Sequence, residues 1–283
     1  MKSSPKIPDR ITNIVGAFRD CSLLEEIPKL PSTKTSMSYS FFNCTSIDGS
    51  VTIPNGVESL EYTFFKCSSL KNAPEIPDSV TTMSNTFNGC SSLVQVSEIP
   101  VSVTNIGAAF NACSLLVNAP NIPEGITSLK YTFQCCSSLK NAPEIPSTVT
   151  DMSYTFSGCS SLIVAPEIQD NVTSIDGTFN KCSSLAVAPK IPKSVINMIN
   201  TFNQCNSLLN APEIPEGVTN MNQTFYGCGK LQGEIIINAT PAIYTSCFLN
   251  AGMKGEGIIL KGVSTVLNEL AATNIKGKVI VGN

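Results

Sequence analysis

The sequence predicts an α/β repeat solenoid: a stack of coils with short parallel strands on one face and short α- or 3₁₀-helices on the other. Three observations predict it. Cys21, Cys44, Cys67, Cys90, Cys113, Cys136, Cys159, Cys182, Cys205 and Cys228 recur every 23 residues without a slip. A phenylalanine stands three residues before each, from Phe18 to Phe225. Three residues after each comes Leu (Ile47 in one copy), and nine after comes Ile (Leu30 in one copy). A fixed period with apolar positions locked to it marks coils that bury their apolar faces only against one another.

Within one copy the apolar spacing changes. Val80, Met83, Phe87, Cys90 and Leu93 follow one another at helical intervals. The segment is short and rich in Ser, Thr and Asn, which predicts only one or two helical turns. A prolyl segment follows, as in Leu70–Pro77. Proline has no N–H to donate, so a strand here is confined to two or three residues near Glu75 and Ile76. Stacked coils would pair these strands in parallel, with Val, Met, Phe, Cys, Leu and Ile each stacking on their own kind. Thr63, Thr86, Thr132, Thr155, Thr178, Thr201 and Thr224 precede their Phe and read as buried hydroxyls bonded to backbone. Local departures include Lys34 in the Val column, Gln169 in place of a Pro, and the strand-like run Ser50-Val51-Thr52.

Residues 1–237 form the array and residues 238–283 read as atypical capping coils of the same solenoid. Three strands are expected toward the end, Glu234–Ile237, Gly257–Leu260 and Lys278–Val281. Between the last two, Ser264 to Asn274 carries Val266, Leu267, Leu270 and Ala271 at helical spacing, with Ser264 as the expected N-cap. The whole would be one domain of roughly twelve coils, each about 4.8 Å from the next. At the other end Pro5, Ile7 and Pro8 fall 23 residues before Pro28, Leu30 and Pro31, which reads as a piece of a longer protein.

Composition excludes several functions. Only 14% of the 283 residues are charged and the net charge is −3, so no basic patch marks a nucleic-acid surface. The apolar runs are too short to span a bilayer. The amino terminus has no apolar core of a secretory signal. With no histidine, the commonest general base is missing.

Three columns carry chemistry worth weighing. The cysteine ladder suggests metal or disulfides, but zinc sites favour close Cys pairs with His, and the one close pair is Cys135-Cys136. Side chains all pointing into one core beside Phe and Leu read as buried structural thiols. Glu75, Glu98, Glu144, Glu167 and Glu213 each lie eight residues after their Cys, with Asn121, Lys190 and Lys29 in the same column. Alternating with Ile76 and its equivalents, they point outward from the expected sheet. They read either as a solvated face or as a ligand-binding strip for a basic partner. Tyr39, Tyr62, Tyr131 and Tyr154 share a further column, two residues before Phe. They read as a partly covered flank or as interface residues.

The run V-T-x-M-x-x-T-F-x-x-C-S-S-L followed by I-P resembles the BspA-type leucine-rich repeat of bacterial surface proteins. Its V-T-N-M and F-x-G-C-S-S-L portions are also similar to the repeats of mycoplasma surface lipoproteins. The resemblance spans residues 5–237, with the departure that Pro74, Pro143 and Pro166 stand where the usual repeat has a strand residue. It implies a right-handed coil, a concave sheet face, surface display or secretion, and adhesion to an extracellular or host protein without enzymatic activity or cofactor. Two alternatives remain open, a structural display stalk and a polysaccharide-active enzyme. The latter would need one defined carboxylate pair.

Overall fold

The computed structural model describes residues 7–8, 10–31, 36–49, 51–274, 276 and 278–282. Pro5 and the departures at Lys34 and Ser50 lie outside these residues. The chain divides into two units, Met1–Leu139 and Lys140–Asn283.

Phenylalanine occupies the centre of the first unit. Phe41, Phe64, Phe87, Phe110 and Phe133 are fully buried, as are the Met, Cys and Leu columns of the same coils and, from Val57 on, the Val column, with Ile or Leu at some positions. Their rings stack nearly parallel, with centroids 5.3 Å apart for Phe18–Phe41 and 5.6–5.8 Å for the steps from Phe41 to Phe133. Burying one such side chain contributes about 1.5–3 kcal/mol. No coil could collect that alone, because each ring's faces are covered by rings of adjacent coils.

The second unit repeats the plan. Its rings run from Phe156 through Phe179, Phe202 and Phe225 to Phe248, at 6.0, 5.7, 5.6 and 5.3 Å. The register therefore continues one coil past the last periodic cysteine. In that coil Ala251 takes the cysteine position and Cys247 the threonine position. Cys247 is off the cysteine period yet buried.

The helix expected over Val80–Leu93 is instead a run of β-turns. Thr86, Asn88 and Cys90 donate their N–H groups to carbonyls three residues back, at Met83, Asn85 and Phe87. The alternate residues Met83, Asn85, Phe87 and Gly89 donate to Asn105, Gly107, Ala109 and Asn111 of the next coil. Half of the donors thus bond within the coil and half between coils, which an α-helix does not allow. Positive φ at Asn85 (55°) and Gly89 (80°) stops helix propagation, and each is the third residue of a turn. That is where type II turns require φ > 0. Gly, Asn and Asp recur in these two columns, but Tyr39, Tyr62, Lys66 and Lys181 also adopt positive φ. Such residues cost about 1–2 kcal/mol each, offset by burial and inter-coil hydrogen bonds.

The strand expected near Glu75 and Ile76 is also absent. Most parallel bridges join coils at two other columns, Ser59–Thr82–Asn105 and Asn72–Gln95 in the first unit. In the second they run Asp151–Ser174–Asn197–Asn220–Ile243 and Asn141–Val164–Val187–Asn210, and a single bridge, Ile214–Ile237, falls in the isoleucine column itself. Prolines on both sides of Glu75 remove the N–H groups that would extend pairing there.

Among the described residues, regular strands form only where proline disappears. β1 (Gly233–Ile236), β2 (Ile258–Lys261) and β3 (Val279–Val281) make a parallel sheet in that order, within a residue or so of expectation. Gly233 pairs with Ile258, and Ile258 with Val279. Helix α1 (Leu267–Ala272) is shorter than expected. Its N-cap residue is Val266, not Ser264, and no side chain caps it. Ser264 Oγ lies too early in the chain and accepts from Val266 N, at 3.4 Å, in a local turn.

Candidate functional site

The cysteine and threonine groups that enter the core mostly hold coils together. In the first unit the thiols of Cys44, Cys67, Cys90, Cys113 and Cys136 donate to the carbonyl oxygens of Phe18, Phe41, Phe64, Phe87 and Phe110 in the preceding coil, at 2.9–3.2 Å. Cys182, Cys205 and Cys228 do the same in the second unit, at 2.9–3.1 Å. The threonine column bonds one turn earlier: Thr63 to Met37 O at 2.9 Å, Thr86 to Leu60 O at 2.9 Å, Thr201 to Ile175 O at 3.0 Å. Both columns satisfy carbonyls that would otherwise be buried without a full set of partners.

Burial sets the chemistry of these thiols. It pushes Cys44, Cys205 and Cys247 up to about 12, and raises Cys67, Cys90, Cys113, Cys136, Cys182 and Cys228 well above the usual thiol value. A thiol held protonated is neither a nucleophile nor a metal ligand. Cys21 is the exception among the ten periodic cysteines, being exposed in the first coil. Cys135, off the period, is exposed as well. Among the described residues no group of three or more Cys, Asp or Glu side chains is placed to hold a metal ion.

Glu75 and Glu98 in the first unit are exposed, and so are Glu144, Glu167 and Glu213 in the second. The isoleucine after each, from Ile76 to Ile214, is buried. The outward direction follows from that alternation, but no strand contains these residues, so they project from a prolyl ridge rather than from a sheet. Glu213 is held by Asn238, whose Nδ2 donates to its carboxylate at 2.6 Å.

The tyrosine column is half-buried. Tyr39 stacks on Tyr62 at 4.8 Å and Phe42 on Phe65 at 4.6 Å, with the Arg19 guanidinium 4.5 Å from the Phe42 ring. Stacked faces leave only ring edges to solvent, and Arg19 covers the first face. In the second unit the Tyr154 ring fills the space where a side chain at Gly177 would stand.

One groove has no counterpart in the sequence reading. It lies in the second unit, encloses about 1310 Å³, and is lined by side chains of several consecutive coils. Glu213 is on its wall, with Lys190 from the same column and Lys193 and Glu216 three residues further along. Period alone could not reveal it, because it depends on the shape of the prolyl ridge.

The family model of the BspA type leucine rich repeat region, in six copies, matches residues 3–115, 73–186 and 127–254. Among solved structures the chain is similar to a leucine-rich repeat protein from Bacteroides ovatus, with 19% identity over 96% of this chain and 88% of that one, and a TM-score of 0.45. It is similar to a leucine rich cell surface protein from Faecalibacterium prausnitzii, with 23% identity over 82% and 84% and a TM-score of 0.39. It also resembles the pneumococcal vaccine antigen PcpA, with 15% identity over 96% and 71% and a TM-score of 0.44. No curated protein matches it. With the family's repeat matched from residue 3 to residue 254, the chain belongs to the BspA-type leucine-rich repeat family.

Proposed function

We propose that the chain is a non-enzymatic protein-binding module, the adhesive or recognition part of a bacterial surface protein, with Glu75, Glu98, Glu144, Glu167 and Glu213 as its ligand-facing strip. In this reading residues 1–237 form the recognition array and residues 238–283 cap it. One observation carries it. The repeat turns most of its thiols and its threonine hydroxyls into inter-coil hydrogen bonds, while the glutamate column stays exposed beside a buried isoleucine. What such a repeat offers a partner is a regular outer surface, not a reactive centre.

A row of carboxylates makes a negative field that favours a basic extracellular protein and speeds its approach. Lys71 and Lys140, four residues before Glu75 and Glu144, weaken that field locally. The test starts with capture of extracellular host proteins by the purified chain. Glu144→Gln/Glu167→Gln is then compared with the parent by surface plasmon resonance at low and high salt. The expected result is a slower association rate at low salt and little difference at high salt, where exposed charges are screened within about 3–8 Å. An unchanged association rate at low salt makes this column an ordinary solvated face.

A further inference from the structure

The groove beside Glu213 is built for one kind of occupant. Lys190 and Glu213 occupy the same column in adjacent coils, and so do Lys193 and Glu216. Both lysines thus lie on one coil and both glutamates on the next, making a short charge step along the stack. All four side chains are exposed. Among the described residues, no ion pair joins either lysine to either glutamate. Glu213 accepts instead from Asn238, which fixes its carboxylate at the groove wall.

The walls and floor are rigid. Pro189, Pro212 and Pro215 line the groove, and Ile191 and Val218, both almost wholly buried, lie beneath them. Proline fixes its own backbone and offers no N–H, so the groove presents apolar surface and charge with little backbone hydrogen bonding. Its volume, about 1310 Å³, exceeds the roughly 300–1,000 Å³ typical of small-molecule pockets. An extended chain fits the spacing. Same-face side chains on an extended peptide are about 6.6 Å apart, and adjacent coils about 4.8 Å, a mismatch that the long Lys and Glu side chains absorb.

We propose that this groove binds an extended peptide segment in which an acidic side chain meets Lys190 and Lys193 and a basic side chain, two residues along, meets Glu213 and Glu216. The proposal rests on the protein-binding reading above and adds to it the chemistry of one partner segment. Prolyl walls already ordered before binding reduce the entropy the complex must lose. The charge step sets the polarity in which the peptide lies, since the reversed register would put like charges together.

The experiment uses the full chain and a phage-displayed library of short linear random peptides. The expected result is enrichment of peptides carrying an acidic and a basic residue two positions apart, in one predominant order. The charge-reversed variant Lys190→Glu/Lys193→Glu/Glu213→Lys/Glu216→Lys should bind the selected peptide about tenfold more weakly, as several exposed pairs acting together imply. It should enrich the opposite order. Circular dichroism melts that match the parent's show that the reversal leaves the fold intact. Glu213→Gln alone gives a smaller loss in the same direction if the quadruple variant does not fold. Glu58→Gln/Glu124→Gln, exposed and outside both the groove and the glutamate strip, should bind the selected peptide as the parent does. Selected peptides without charge pattern, indifference to reversal, loss of binding in Glu58→Gln/Glu124→Gln, or no enrichment over blank beads would each overturn the groove assignment. If the parent still captures extracellular proteins in that case, the broader reading stands and only the groove falls.

Discussion

Raising the pH should unfold this protein through its cysteine ladder. An unfolded thiol ionises near pH 8.5, whereas burial holds Cys44 near 12 and Cys67, Cys90, Cys113 and Cys136 above their ordinary value. The folded values lie above the unfolded ones, so the stabilisation is complete below about pH 8.5 and is lost as pH rises toward 12. At pH 10 each thiol then withdraws about 2 kcal/mol, and five in the first unit withdraw about 10 kcal/mol. That matches the roughly 5–15 kcal/mol total stability of an ordinary domain. The assay is urea unfolding at stepped pH under reducing conditions, followed by far-ultraviolet circular dichroism because the chain has no tryptophan. The decisive comparison is with Cys67→Ser/Cys90→Ser. Serine keeps a donor for the Phe41 and Phe64 carbonyls but does not ionise. Two protons fewer should be released on unfolding, lowering the slope of stability against pH by about 2.7 kcal/mol per pH unit. An identical slope in the variant, or stability flat between pH 8.5 and 10.5, would refute the claim that these thiols stay protonated because they are buried.

Two further predictions test the packing. Gly177→Ala adds a methyl group that overlaps the Tyr154 ring at a residue with φ of +58°. It should destabilise by about 1–3 kcal/mol, with partial relief in a Tyr154→Ala background, as read from thermal melts. Asn274 occupies the cysteine position two coils beyond Cys228, and its Nδ2 donates to the Phe248 and Ala251 carbonyls at 3.0 and 2.9 Å. Asn274→Ala leaves both acceptors short of a partner and should cost about 2 kcal/mol or more. Asn274→Cys should cost less, because a thiol there can restore the bond to Phe248 on the pattern that Cys228 makes to Phe202. Equal urea midpoints for the two variants would contradict that role.

The terminal coil illustrates how sequence and structure divide the description of this protein. Nothing in STVLNELAATN announces that Asn274 stands in for a cysteine, since its neighbours no longer keep the repeat. Once the coil is stacked, it is the donor that reaches the Phe248 carbonyl, while Thr273 Oγ1 accepts from Phe248 N at 3.0 Å. In this coil, side chains of Thr273 and Asn274 thereby meet the Phe248 backbone groups.

Period and burial were legible from the sequence alone. The identity of every core column, the buried state of the threonine hydroxyls and most thiols, the outward direction of the glutamates and the three terminal strands follow from residue types recurring at a fixed interval. Apolar burial is a matter of composition at a position, and the period repeats that position. Backbone conformation was not legible. Val80, Met83, Phe87, Cys90 and Leu93 have the spacing of a helical face, and only the stacked structure sends alternate N–H groups to the neighbouring coil and turns Asn85 and Gly89 into left-handed turn residues. The choice between helix and turn depends on whether a second coil is close enough to accept those hydrogen bonds. The groove at Lys190 and Glu213 was decided in the same way: its charges are written in the sequence, but its walls exist only where successive prolyl ridges lie side by side.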